Sequence, residues 1–363
     1  MVVQRARPIV GMNETGSYTV IEDLWDLFRN DSNRSLHFDG PETEYSDTDL
    51  LSDIVGIWIT GFFCIMGLVG NIISFLVLSK AHGHSPMFFV LRAVAISDAV
   101  FLFSVFVLQT VANIYHWIGV CRWCFLYRGY MQFSIWPILM ITQMTTVWLT
   151  VLVSLERYVA ICFPLNSAHI CTMSKVRKSV FLIYITSILY NIPRYFEFKV
   201  DGEGLNKTAV GAHEVYRYLY TGVLYSLMLF FIPLLMLIFL NFKLVMALKE
   251  GKKQWETLQF RQKREQNLTI IPLTIVLVFF ICGVPALAVN VIDSMNPYLL
   301  ERPSYVVFMV IANLLVVLNS ACNFIIYCLL GKKFRSKLIE MFHCKCANYR
   351  PVLTSNNTQL SDF

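Results

Sequence analysis

The chain has 363 residues, of which 56% are hydrophobic, 14% aromatic and only 15% charged, with a mean hydropathy of +0.57. A soluble domain carries about 25% charge, so the composition excludes an ordinary water-soluble globular protein and points to a bilayer. The net charge of +6 is unevenly placed, and its placement sets the topology.

Residues 1–50 are rich in Asp and Glu and lack apolar periodicity, which predicts a disordered extracellular leader. They hold glycosylation sequons at Asn13, Asn30 and Asn33. The start has no apolar signal core, so the first span is expected to insert as its own anchor. Apolar runs of the length needed to cross (about 20 residues) fall at roughly 53–79, 87–113, 128–162, 175–195, 216–248, 264–292 and 305–330. Lys175, Arg177 and Lys178, the run from Lys243 to Arg264, and Lys332, Lys333, Arg335 and Lys337 lie on one side of these runs. The positive-inside bias therefore places the N-terminus outside and the C-terminus inside, in a multi-pass protein of the plasma membrane. The same basic runs do not call for nucleic acid, because they are juxtamembrane. A fourth sequon, at Asn206, also falls outside, whereas those at Asn267 and Asn356 would be cytoplasmic chance matches. Three domains follow: 1–50 the leader, 51–330 the seven-span bundle, and 331–363 a cytoplasmic amphipathic helix and tail.

Within the spans, polar residues are few enough to name. Gly70-Asn71 lies in the first, Asp98 in the second, Thr146 in the third, and Asn319, Ser320 and Asn323 in the seventh. A carboxylate in hydrocarbon is costly unless it meets partners, water or an ion. These residues are therefore expected to meet at mid-membrane, either as interhelical hydrogen bonds or as a sodium site of Asp98, Thr146, Asn319 and Asn323. The third span ends in Glu156-Arg157-Tyr158 followed by Pro164-Leu165, two charges at the membrane edge. Pro233 and Pro285 each remove a backbone donor and bend their helices. Of ten cysteines only Cys121 and Cys124 fall outside, as a CRWC pair. That pair could be a strained local disulfide, free thiols or an intermolecular bridge. Cys344 and Cys346 follow a basic amphipathic stretch and are expected to carry palmitate.

These residues together resemble a rhodopsin-like (class A) G-protein-coupled receptor: seven spans, Gly70-Asn71, Asp98, Glu156-Arg157-Tyr158, Pro233 and Asn323…Tyr327. The stretches LERYVAICFPL, NIPRYFEF and NFIIYCLLGKKFR are similar to invertebrate FMRFamide-type neuropeptide receptors. The resemblance implies an all-α seven-transmembrane bundle with a short helix after span seven, coupling to a heterotrimeric G protein and to arrestin. Ser336, Thr354, Ser355, Thr358 and Ser361 are the candidate phosphorylation sites for the latter. It also implies a latch between Arg157 and Glu265, twenty residues before Pro285, whose opening exposes the cytoplasmic cleft. Leu165 would enter the G protein, and Pro233, Phe279 and Pro285, with Val147, would repack on activation. The alternative for Glu265 is an ordinary solvated charge in KREQ. Span four lacks the family's usual tryptophan, the loop from Arg194 to Tyr216 has no cysteine for the family's usual disulfide to span three, and three further positions depart from the family. Gly283 stands where a tryptophan is usual, Phe324 replaces the span-seven proline, and Asn241 takes the place of a tyrosine.

The ligand reading follows from residue types. Amine receptors place an Asp eighteen residues before this Arg, where the chain has Leu139, and opsins place a Lys at Val317. A peptide ending in Arg-Phe-amide needs a carboxylate for its guanidinium and an aromatic slot for its ring. Glu197 and Asp293 are the candidate carboxylates, and Gln109, Trp136, Gln143 and Asn290 the candidate walls. The alternative is a lipid or small-molecule ligand. A transporter predicts charges along a pathway and inverted repeats, which are absent. An enzyme needs a nucleophile–base pair or metal-ligand set, also absent, so no cofactor beyond sodium is expected.

Overall fold

The structure, a computed structural model, describes residues 47–80, 86–114, 122–201, 204–254, 259–295, 299 and 302–347. For some of these, among them Leu165, 259–273 and 342–347, the backbone alone is described. The leader with Asn13, Asn30 and Asn33 lies outside the described residues, as do Cys121 and the side chain of Cys124.

Among the described residues six helices are long and apolar enough to cross a membrane. They are span one (Leu50–Lys80), span two (Pro86–Ile114), span three (Gly129–Cys162), span five (Tyr216–Ala247), span six (Thr274–Met295) and span seven (Pro303–Ala321). The fourth, Met173–Asn191, is less apolar; Thr172 caps it by accepting from the Lys175 amide. It ends earlier than the expected 195 because Pro193 offers no N–H, and a 3-10 turn, Ile192–Phe196, follows. Span seven continues as Asn323–Leu330 beyond an interruption at Cys322, although no proline stands there. The last helix, Lys332–Ala347, turns away at Gly331, where a Cβ would lie 2.6 Å from the Tyr327 carbonyl.

The core is held by close approach of small residues. A Cβ on Gly67 would lie 2.6 Å from that of Ala321, and one on Gly70 2.9 Å from that of Phe324. Without glycine there, spans one and seven could not approach this closely. Apolar side chains such as Phe62, Phe181, Leu235 and Leu329 stay on the outside, as a surface solvated by hydrocarbon requires.

Among the described residues four helical stretches are wound as π-helix: Ile54–Ile59, Phe106–Val111, Tyr216–Leu224 and Leu227–Phe231. The last stands directly before Pro233, which is buried. In a π register the partner of residue 233 would be the carbonyl of Met228, which proline cannot serve. The Trp148 indole N–H of span three donates to that carbonyl instead, at 3.1 Å. The segment between spans four and five is not a plain loop. It forms an antiparallel hairpin of β1 (Phe198–Asp201) and β2 (Gly204–Lys207), with Phe198 opposite Lys207. Phe198 is buried beside Trp136 and Leu139, so the hairpin closes over the outer end of span three.

Candidate functional site

A cavity of about 240 Å³ opens inside the outer half of the bundle. All six residues expected at a ligand site line it: Gln109, Trp136, Gln143, Glu197, Asn290 and Asp293. Tyr225 donates to Gln143 Oε1 at 3.0 Å, Ser226 lies 3.0 Å from Asn290 Oδ1, and the Tyr305 hydroxyl donates to Asp293. Trp136 Nε1 and Gln109 Oε1 are buried with no hydrogen-bond partner. Buried polar atoms are normally paired, so these two are free for a ligand or water. Leu139 faces the same space, which leaves an amine without its usual carboxylate.

The centre of the outer wall is a residue that sequence reasoning passed over. Arg194, with its side chain only 4% exposed, pairs with Glu197 at 3.4 Å. Its guanidinium carbon lies 5.0 Å from the Tyr225 ring centre, 5.5 Å from Tyr220 and 5.9 Å from Trp136, within cation–π range. Tyr216 adds a hydrogen bond to Glu197 Oε2 at 3.4 Å. Burial disfavours the guanidinium charge, but Glu197 and the three tyrosines more than offset it, holding its pKa above the usual arginine value. The i,i+3 spacing of Arg194 and Glu197 was the available signal. The tyrosines were hidden by their spacing: Tyr216 and Tyr225 are nine residues apart. At about 100° per residue an α-helix would set them on opposite faces. The π-helical winding brings both to the cage.

Glu197 is fixed by its backbone. The Thr208 amide donates to its carbonyl at 3.1 Å, while the Thr208 hydroxyl donates to the carbonyl of Phe196. A Cβ on Gly211 would lie 2.2 Å from the Glu197 carbonyl oxygen, so only glycine lets the chain press this closely. Asn206 is exposed on β2.

At its inner end the cavity reaches Thr146, Asn319 and Ser320. Asp98, fully buried, accepts from Thr146 at 3.1 Å and from Asn323 at 2.6 Å. Asn71 donates to the carbonyls of Gly67 and Ser320 at 2.9 and 3.1 Å. The four residues expected at a sodium site thus share one region. Among the described residues no cationic side chain pairs with Asp98. The Asp98 carboxylate with the Thr146 hydroxyl beside it is a hard oxygen donor set of the kind an alkali cation takes, so these residues fit the ion.

Also on the cavity wall, Val147, Phe230 and Phe279 belong to one core cluster. Phe230 and Phe279 stack with ring centres 6.0 Å apart, and the Phe230 ring lies where a side chain on Gly283 would project. A Cβ there would sit 3.0 Å from Phe230 Cε2. Span five therefore supplies the aromatic ring that span six lacks. Pro285 lies on span six two residues beyond Gly283. At the cytoplasmic edge Arg157 is held by its neighbour Glu156 at 3.4 Å, and Tyr158 packs edge-on against Phe163. Tyr327 is buried beside Phe334. The side chains of Glu265, Leu165, Cys344 and Cys346 lie outside the described residues.

Residues 70–327 match the family described as 7 transmembrane receptor (rhodopsin family). The chain belongs to that family. Its fold is the seven-helix transmembrane bundle, and the family is one of receptors, not of enzymes. The FMRFamide receptor of Drosophila melanogaster is 27% identical over 327 residues, covering 85% of this chain. The chain spans 58% of the length of that relative. An FMRFamide peptide receptor of Caenorhabditis elegans is 30% identical over 293 residues, 78% of this chain and 68% of that one. The Drosophila sex peptide receptor is 25% identical over 312 residues, 77% and 71% of the two chains. As a member of the family the receptor is a multi-pass membrane protein.

Proposed function

We propose that this is a plasma-membrane neuropeptide receptor, with its N-terminus outside, for a peptide ending in Arg-Phe-amide. The observation that carries the reading is the cavity's outer wall, where charges of both signs and unpartnered polar atoms stand among aromatic rings. A lipid has no use for them, and an amine would need only one carboxylate. About 240 Å³ suits the end of a peptide whose remainder lies across the hairpin. Because Arg194 already holds Glu197, Asp293 is the carboxylate we assign to the ligand's guanidinium. The relatives named as FMRFamide receptors support the same class.

Signalling then runs inward. The ligand meets Phe230, Phe279 and Gly283, which line the cavity, and their repacking about Pro233 and Pro285 releases span six from span three. Arg157, freed from Glu156 and from a latch to Glu265, opens the cleft to a heterotrimeric G protein, with Leu165 and Tyr327 at its edge. Sodium at Asp98 would favour the closed state, arrestin would follow tail phosphorylation, and palmitate on Cys344 and Cys346 would anchor the last helix. Cells expressing the receptor with a promiscuous G protein, screened by calcium against Arg-Phe-amide peptides and amines, test the reading. A nanomolar response to the peptides, shifted to higher concentration in Asp293→Asn, is expected. Silence to every peptide with receptor at the surface would sink it.

A further inference from the structure

The amide end of such a ligand also needs a site, and the geometry points to the Arg194–Glu197 pair. We propose that this pair reads the terminal carboxamide and rejects the free carboxylate, an inference that rests on the peptide reading above.

Arg194 Nε is a buried donor with no partner, on a side chain only 4% exposed that lines the cavity. Both hydrogen bonds to the Glu197 carboxylate, from Arg194 and from Tyr216, fall on Oε2. Its Oε1 therefore has no partner among the described residues. The pair offers one unused donor and one unused acceptor, and its two charges cancel. A primary carboxamide is the complement: its carbonyl accepts and its NH2 donates. With its oxygen on Arg194 Nε and its nitrogen on Glu197 Oε1, it brings no charge into a cage of low dielectric. The aromatic ring of the terminal residue then packs against Trp136 and Tyr225, which line the cavity.

A free acid fails on two counts. It has no donor for Glu197, and its negative charge stands beside another where screening is weak. Arg194 does not rescue it, because its charge already serves Glu197. Sites built to pair a buried polar group discriminate strongly against an analogue that cannot pair it. The clamp of Thr208 and Gly211 on the Glu197 backbone keeps the carboxylate from swinging away.

The test is the ratio of potencies for one peptide in its amide and free-acid forms, read by calcium in cells whose surface receptor is quantified. Glu197→Gln removes the repelling charge and supplies an NH2 that can donate to a carboxylate. The amide preference should fall about tenfold or more, mainly because the acid gains. The double variant Arg194→Gln/Glu197→Gln, which leaves no lone buried charge, should lose the preference too and guards against misfolding of the single one. Asp293→Asn serves as the control: it should weaken both forms alike and keep the ratio. A full amide preference in either Glu197 variant would overturn this inference alone. Silence of the wild-type receptor to both forms would overturn the peptide reading and this inference with it.

Discussion

The two ends of the cavity both bury polar groups, yet they are assembled by opposite means. The inner end sets one carboxylate, Asp98, among neutral donors on regular helices, with Thr146 and Asn323 each giving it one hydrogen bond. The outer end sets a full ion pair, Arg194–Glu197, inside a ring of tyrosines, carried by a 3-10 turn, a hairpin and a π-helical stretch. Asp98 is a carboxylate with no cationic partner among the described residues, on α-helical backbone; the Arg194–Glu197 pair is neutral as a unit and depends on irregular backbone. The first arrangement suits a mobile cation, and the second suits a neutral, directional ligand group.

The largest effect should come from breaking the outer pair. Arg194→Met strands the Glu197 charge among aromatic rings, which costs about 3–5 kcal/mol for a buried pair. Replacing both partners, Arg194→Met with Glu197→Met, removes the stranded charge and should recover most of that loss. Thermal unfolding of the purified receptor measures both. If the single and double variants fall equally, the pair does not act as a unit.

The same contrast explains what was legible in the sequence. The seven spans, and the meeting of Asp98, Thr146, Asn319 and Asn323, could be read because a lone acid in an apolar run must find partners. Helices of ordinary period bring those partners to one depth. The six residues Gln109, Trp136, Gln143, Glu197, Asn290 and Asp293, which line the cavity, were also legible, since each is polar or aromatic near a helix top. The cage was not legible. Its tyrosines share a face only through the π-helical winding, and residues 198–207, between two apolar runs, form a hairpin. Nor was the interruption of span seven at Cys322, because Phe324 removes the proline that would have announced it. Phe230 was missed for a different reason: one phenylalanine in an apolar run has no mark until Gly283 is seen facing it.

At the inner end the expected change is smaller in stability and specific in response. Asp98→Asn keeps the side chain's shape and an oxygen to accept from Asn323 or Thr146. It loses at most one hydrogen bond's worth of stability, about 0.5–1.5 kcal/mol, and it removes the charge that would hold a cation. Peptide affinity measured with and without sodium should depend on the salt in the wild type and lose that dependence in the variant, when a potassium control is subtracted. An unchanged sodium response in Asp98→Asn would place the ion elsewhere.

Between the two ends lies the contact of Phe230 with Gly283, and there the effect on stability should be small while the effect on signalling is not. Gly283→Ala puts a methyl 3.0 Å from Phe230 Cε2 and 3.3 Å from Cδ2, so the ring must give by a few tenths of an ångström. Overpacking of this kind costs about 1–3 kcal/mol. Alanine regains about 1 kcal/mol over glycine inside a helix, so the net loss should be about 0–2 kcal/mol. The ring cannot move alone, because it stacks on Phe279 and stands at the end of the π-helical turn that Trp148 holds through the Met228 carbonyl. Displacing it therefore pushes span six from span three without a ligand, and basal G-protein signalling should rise. Phe230→Leu, which removes the ring edge, should return Gly283→Ala to the lower basal level in the double variant. If Gly283→Ala leaves basal signalling and ligand potency both unchanged at equal surface expression, the ring from span five fills space only, and the switch must work through other contacts.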